Sequence, residues 1–237
     1  MNSKLTQVKA CRSTLLTLGL VALLSAPAMA KDKLPETTHD GLQLQKDTKL
    51  AAVYLQPGET LEGYDKVSIT DVYVAFKKNW QRNYNQTTMG LDGRVSDKDV
   101  EVIKQRVAKE FKVVFTKELQ DKGGYEVVDN AAKDVLVLRP AIINLVVTAP
   151  DVSRAGMSRT FVASTGEATL YLELYDSLTS DIIARVIDAK AMGHYGMAHM
   201  GSRVSNKADF DRVLVKWADI LRSHLDEVNA AAGNTGE

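Results

Sequence analysis

The side chains of this sequence with the most distinctive chemistry lie in one short segment, residues 192–201. The segment contains three methionines and two of the four histidines, with three glycines among them. Thioether sulfur and imidazole nitrogen together suit Cu(I), and the glycines would allow the backbone to bring several ligands around one ion. One hypothesis is therefore a copper site formed by His194, Met197, His199 and Met200.

The same segment also has an interpretation without a metal. Met192 would end a buried strand, and the residues after it would form a flexible loop. Methionine commonly fills gaps in hydrophobic cores, and short motifs of this kind often occur without the site that they suggest. The sequence therefore predicts no cofactor, with Cu(I) as the alternative.

Two further segments have side chains that suit ligand binding. Arg154 and Arg159 lie in a segment predicted to be a loop, residues 150–160, and arginine binds phosphate or carboxylate through paired hydrogen bonds. Their alternative role is to keep sheet edges apart in a solvated connection. Trp80 lies among basic and aromatic residues, a combination typical of protein or glycan contacts. A packing role for Trp80 is equally compatible with the sequence.

Catalytic motifs are missing from the sequence. Gly156–Thr160 resembles a nucleophile elbow but ends on threonine, where the tight turn requires glycine. The chain has no His-Glu-x-x-His, no phosphate-binding glycine loop and no dinucleotide-binding motif. Asp97–Glu101 lacks the glycine and the distal glutamate of a calcium loop. We therefore predict no catalytic residues and no enzymatic activity.

The first 30 residues have the pattern of a cleavable export signal. A basic start without acidic residues precedes a short leucine-rich run, and the small residues Ala28 and Ala30 then form a signal-peptidase site. The mature chain is predicted to start at Lys31 in the periplasm. Cys11 precedes the apolar run instead of marking its end, so no lipid anchor is predicted. No apolar run reaches the roughly 20 residues of a membrane span.

Composition excludes several classes of protein. The chain has 237 residues with 30 basic and 30 acidic side chains. It therefore lacks the excess of positive charge that would indicate a nucleic-acid partner. The single cysteine excludes a disulfide-stapled fold. A sequence that is 45% hydrophobic can bury a core of its own.

Hydrophobic periodicity predicts two helices and about six strands. One helix begins at Ser96 and ends at Gly123–Gly124, and a second begins at Ser205 or Asn206. The second helix has an apolar stripe that should bury Trp217. Pro140 removes one backbone donor from a long predicted strand, which indicates a bulge, a bend or an edge position. The strands are predicted at residues 50–55, 66–76, 125–128, 134–148, 161–175 and 182–192.

These elements predict an α+β fold: a single mostly antiparallel sheet of about six strands with two long amphipathic helices on one face. The polar residues 79–94 are predicted to form a loop. Residues 31–49 are expected to be a loosely ordered arm, residues 50–228 the single domain, and residues 229–237 a disordered tail.

Most of the mature chain resembles a known bacterial family, because the predicted helix, the long strand and the terminal helix follow the N-terminal motifs in the expected order. The motifs that carry the resemblance are Gly41-Leu42, Tyr54–Gly58, Gly63–Val67, Asp71-Val72 and Lys77–Trp80. Together they resemble the family catalogued as domain of unknown function 3313, whose members are exported and often lipoproteins. This sequence departs from the pattern because it lacks a lipobox cysteine. The predicted sheet with two helices is also similar to accessory domains of envelope transport lipoproteins, which is a likeness of fold alone.

Two functions are compatible with these features. The first is a non-enzymatic periplasmic accessory or binding protein of the Gram-negative envelope, acting through an envelope protein partner or through self-association. The second is a periplasmic metal-handling module that uses residues 192–201, which we call the Met/His segment.

Overall fold

A long central strand organises the fold in the computed structural model, which describes residues 34–90, 93–147, 160–162, 166–192, 199–201 and 203–234. The strands are β1 (Gln43–Leu44), β2 (Ala52–Leu55), β3 (Lys66–Ile69), β4 (Tyr73–Phe76), β5 (Glu126–Val127), β6 (Val135–Val147), β7 (Thr160–Val162), β8 (Gly166–Asp176), β9 (Ile182–Met192) and β10 (His199–Gly201). The helices are α1 (Trp80–Thr87), α2 (Asp97–Thr116) and α3 (Arg203–Asn234), and a π-helical turn (Lys117–Asp121) extends α2.

Eight of these strands form one mixed sheet in the order β1-β2-β9-β8-β6-β3-β5, with β4 also paired to β6. Neighbouring strands in the part of the sheet with the order β1-β2-β9-β8-β6 are antiparallel. In contrast, β3 and β4 lie parallel to β6, and β5 lies parallel to β3. β7 and β10 form a separate antiparallel pair. The predicted hairpin of residues 161–175 with 182–192 is confirmed in its main part, because β8 pairs with β9.

The predicted single strand at residues 66–76 is two strands, and Pro140 explains where they separate. β3 pairs with β6 up to Leu138, and β4 starts to pair at Ala141. Pro140 therefore lies opposite the gap between the two strands, where no ladder hydrogen bond requires the N–H that proline lacks. The pairing of β6 with β8 also has an irregular register further along, near Asn144, whose φ is 52°.

The α+β class is confirmed, but the sheet and the helices differ from the prediction in detail. Within the described residues the sheet is mixed with eight strands, not mostly antiparallel with about six. The described residues form three α-helices instead of two, because residues 80–87 form α1 in a region predicted to be a loop. That region is polar, and α1 forms because its few aromatic residues pack on the domain. Parallel pairing could not be read from the apolar pattern, which does not encode strand direction.

The predicted helix at Ser96 is confirmed with its cap. The Ser96 side chain accepts the backbone N–H of Asp99, and the Asp99 carboxylate accepts the N–H of Ser96, which together form a capping box. Gly124, with a φ of 77°, ends the helical segment and donates its N–H to the Gln120 carbonyl.

The two long helices pack on one side of the sheet, which we call the helix face. The apolar stripe predicted for the last helix is confirmed, since Leu214 and Leu225 are fully buried and Trp217 is 2% exposed. On α2, Phe111 and Phe115 stack with ring centroids 3.9 Å apart. Among the described residues, no helix is both long enough and apolar enough to cross a membrane.

The opposite side of the sheet, the arm face, carries Arg185, Glu173 and Tyr54 and is covered in part by residues 38–44. This segment belongs to the region that we expect from the sequence to be loosely ordered. In the structure Leu42 is fully buried against Ala52 and Tyr54. Leu42, an apolar side chain with too little pattern around it to be recognised in the sequence, therefore helps to hold the segment on the sheet.

Candidate functional site

Most of the side chains that the sequence marks as candidate ligands lie outside the described part of the structure. This applies to His194, Met197, Arg154 and Arg159, and to the signal-peptidase residues Ala28 and Ala30. The backbone of His199 and Met200 lies in β10, where these residues pair with Val162 and Phe161. The copper site therefore stays a prediction. Elsewhere, the described residues contain no group of three or more His, Cys, Asp or Glu side chains arranged to hold a metal ion.

Trp80 has a packing position in the structure. Its side chain is 7% exposed, and the ring stacks on Phe76 at 4.1 Å and on Tyr84 at 5.8 Å between centroids. Its indole N–H donates to the Val147 carbonyl at 3.2 Å. The indole thus joins α1 to β4 and β6, and little of it is accessible to a ligand.

The structure contains a cavity on the helix face that sequence reasoning did not find. It has a volume of about 270 Å³ and lies between the sheet and α3. Its floor is formed by alternate residues of three adjacent strands, because alternate side chains of a strand point to the same side. These floor residues are Val53 and Leu55 of β2, Leu170, Leu172 and Leu174 of β8, and Ala184 and Val186 of β9.

One wall of the cavity is α3 and the other is the segment before β2. The helix contributes Trp217, Ile220 and Leu221. Ile220 and Leu221 follow Trp217 by three and four residues, so the three side chains lie on one face of the helix. The segment 47–50 turns at Asp47, whose φ is 58°, and places Leu50 against the apolar floor. Apart from Ser223, a half-buried residue that directly precedes His224 in α3, the side chains that line the interior are hydrocarbon or aromatic.

A buried carboxylate supports the Trp217 end of the cavity. Asp188 is 1% exposed and accepts the Trp217 indole N–H at 2.7 Å. It also accepts the Ala51 backbone N–H at 3.0 Å and pairs with the Lys190 ammonium at 2.8 Å. This carboxylate ties α3, β9 and the segment before β2 together. Each of its oxygens has a donor, as a buried charge requires.

The opposite end of the cavity reaches the surface, where its lining becomes polar. Asp47, Thr48, Lys49, His224 and Glu227 are exposed lining residues. The His224 Nδ1 atom lies 3.9 Å from a Glu227 carboxylate oxygen. An apolar interior with a polar mouth is the usual construction of a site for a small amphiphilic molecule.

The arm face contains a second buried polar group, which is closed by its own partners. The Arg185 guanidinium binds both oxygens of Asp40, at 3.0 and 2.5 Å, and donates to Glu173 at 2.8 Å. Tyr171 and Tyr175 donate their hydroxyls to Glu173 at 3.2 and 2.8 Å. We call these five residues the arginine cluster.

Hydrogen bonds and ion pairs within the arginine cluster lower the pKa values of both of its acids. Hydrogen bonds from Arg185, and then from Thr38, hold the pKa of Asp40 far below its ordinary value. Burial acts to raise the pKa of Glu173, but the hydrogen bonds from Tyr175 and Arg185 outweigh it and lower that pKa. Both acids are therefore ionised in the folded protein at neutral pH, and four of the five guanidinium N–H groups of Arg185 donate to their oxygens.

The signal for the cavity in the sequence is weak. Asp188 is an acidic residue in phase with the inward-facing Ala184 and Val186, which marks it as a buried carboxylate. The cavity itself depends on β2 lying beside β9, and these strands are more than 120 residues apart in the chain. Apolar periodicity gives no information on that pairing.

Several solved bacterial structures have low similarity to this chain. The PelC dodecamer from Paraburkholderia phytofirmans is 12% identical, with 71% of this chain and 96% of that chain covered and a TM-score of 0.37. A putative neuraminyllactose-binding hemagglutinin homolog from Helicobacter pylori is 12% identical, with 73% and 90% covered and a TM-score of 0.32. Protein XCC0632 from Xanthomonas campestris is 14% identical, with 71% and 86% covered and a TM-score of 0.30.

A search of curated proteins gave no match. A family model, in contrast, covers most of the described fold, from the arm segment through β9 and into the buried stripe of α3, and it includes the floor and one wall of the cavity. Its match extends over residues 35–221, and the chain therefore belongs to the family described as Protein of unknown function (DUF3313).

Proposed function

We propose that this protein is a non-enzymatic binding protein of the bacterial envelope that works in the periplasm and holds an apolar ligand in the cavity between α3 and the sheet. The cavity, with its hydrocarbon interior and polar mouth, is the observation that carries this proposal. An envelope protein partner or self-association, as expected from the sequence, belongs to the same proposal.

The size of the cavity supports a ligand of moderate size. An engineered cavity of about 150 Å³ with a similar lining remains dry and binds benzene. The present cavity of about 270 Å³ is larger and opens at a polar mouth. Burial of a methylene group there would contribute about 0.8 kcal/mol.

Binding can be measured with 1-aminonaphthalene, a small aromatic amine whose fluorescence increases in apolar surroundings. We expect saturable binding with one site per chain. Ala184→Phe should abolish it, because Ala184 lies in the cavity floor and the larger ring would occupy the space. The matched control is Ala189→Phe, the same change on the same strand at an exposed position of the arm face.

The two variants decide whether the cavity is the site. Loss of binding in Ala184→Phe together with normal binding in Ala189→Phe supports the proposal, provided that both variants unfold cooperatively. Equal binding by both variants, or no saturable binding by the wild type, would exclude the cavity as a ligand site.

The periplasmic part of the proposal depends on the first 30 residues, and it has its own test. Replacing Ala28 and Ala30 by aspartate should leave an unprocessed, membrane-held precursor, since signal peptidase requires small residues there. Wild-type protein should be released by osmotic shock. Normal processing of the double variant would show that the export signal is assigned incorrectly.

A further inference from the structure

We propose that the natural ligand of the cavity is a single linear hydrocarbon chain of about ten carbons with its polar head at the mouth. This inference rests on the proposed binding function and specifies the ligand class. A lipid with two chains and a chain with a polar group in its middle are both excluded by the geometry.

The interior requires a ligand segment without polar atoms. The Trp217 indole N–H is the polar group of that residue, and it is already bonded to Asp188. The remaining interior lining is aliphatic except for Ser223, a half-buried residue that directly precedes the mouth residue His224. A hydroxyl or amide of the ligand placed there would lose its water without finding a partner, which is strongly unfavourable.

The dimensions of the cavity allow one chain. Its lining residues on α3 run from Trp217 to Glu227, a rise of about 15 Å along the helix axis. A volume of about 270 Å³ spread over that length gives a mean width of about 4 Å. This width is close to the separation of carbon atoms in contact, so a second chain cannot lie beside the first.

The volume also sets the length of chain that is buried. If an engineered cavity of about 150 Å³ holds the six carbons of benzene, about 270 Å³ holds ten or eleven carbons. Carbons beyond that number would extend from the mouth into water. The affinity should therefore increase with each added methylene group only until the cavity is full.

The mouth holds the head without selecting it strongly by charge. Lys49 offers an ammonium group, whereas Asp47 and Glu227 offer carboxylates, and all three are exposed to solvent. Opposite charges at an exposed rim are screened by water and salt. Chain length, and not the head, should therefore determine affinity.

The test is displacement of 1-aminonaphthalene by n-alkyl glucosides of six to fourteen carbons, each below its micelle concentration. The uncharged head is constant, so the series measures the chain alone. We expect affinity to increase about fourfold with each added methylene up to about ten carbons, and then to level off. Phosphatidylcholine vesicles with two chains per lipid should displace no probe.

Leu172→Trp provides an independent check, because a larger side chain in the middle of the floor shortens the space. In this variant the affinity should level off at a shorter chain length. Below that length, each added methylene should still increase the affinity about fourfold. Affinity that rises without a plateau, or that is independent of chain length, would overturn the linear-chain inference and leave the proposed function in place. Failure of the probe itself to bind would instead remove the proposed function.

Discussion

The two faces of the sheet bury polar groups in opposite ways. On the helix face, Asp188 is fully paired at one end of a cavity that the side chains leave open. On the arm face, the arginine cluster and Leu42 fill the space with their own contacts. The difference indicates that the helix face has room for a ligand, whereas the arm face is completed by the chain itself.

The largest expected effect is on the helix face, at Trp217. Trp217→Ala should reduce the free energy of unfolding by about 3–5 kcal/mol, because it removes a buried ring and leaves Asp188 without one donor. The neighbouring Lys216 is exposed, so Lys216→Ala should change the free energy by less than about 0.5 kcal/mol. Urea unfolding of both variants provides the measurement. Similar losses in the two would contradict the assigned helical face.

The burial of Trp217 is also the clearest example of what the sequence could predict. The stripe on α3, the cap at Ser96 and the long strand β6 are local patterns, and the structure confirms them. The segment 66–76 shows the limit, since its alternation predicts extended backbone but neither the break between β3 and β4 opposite Pro140 nor the parallel pairing. Those features depend on which strands become neighbours.

The candidate site was less predictable than the fold for the same reason. Residue types that can bind metals or ligands indicate the Met/His segment and Trp80 as candidate sites. The cavity is instead lined by leucine, valine and alanine, which look the same in a sequence whether they fill a core or surround a space. The Asp40–Arg185 pair joins residues 145 positions apart, and no local pattern reports it.

On the arm face, the second largest effect is expected for Arg185→Leu, at about 3 kcal/mol of lost stability. Arg185 is 7% exposed, and its removal leaves Glu173, at 9% exposure, without its counter-charge. The double variant Arg185→Leu with Glu173→Leu should lose less than the single one, because the orphaned carboxylate is absent. Urea midpoints of the variants test this order. A double variant that is less stable than Arg185→Leu would mean that the cluster contributes through packing instead.

The comparison between the faces becomes sharper with one identical substitution on each. Ala52→Leu adds volume to the filled arm face, against Leu42 and Tyr54, and should cost about 1–3 kcal/mol through overpacking. Ala184→Leu adds the same volume to the cavity floor and should change stability by less than about 1 kcal/mol. Thermal unfolding of the pair measures the difference. Equal costs would indicate that the cavity has no usable space.

The smallest expected effect concerns acid and the arm. The pKa of Asp40 is lowered in the folded state by its hydrogen bonds with Arg185, so ionised Asp40 stabilises the fold. For an acid with a lowered folded pKa, this contribution is fully present above the unfolded pKa of about 3.9 and is lost as the pH falls towards the folded value. Asp40→Asn should therefore be less stable than the wild type by about 1 kcal/mol at pH 7, since Asp40 is partly exposed.

The pH dependence separates this ion pair from ordinary packing. As the pH falls below about 4, the wild type should lose its advantage over Asp40→Asn, because the protonated acid resembles the amide. Asp129→Asn, at an exposed position, should differ from the wild type by less than about 0.5 kcal/mol throughout. Guanidinium chloride is unsuitable here because it screens charges, so urea unfolding between pH 3 and 7 is the appropriate measurement. A difference between wild type and Asp40→Asn that stays constant with pH would show that Leu42, and not the ion pair, holds the arm on the sheet.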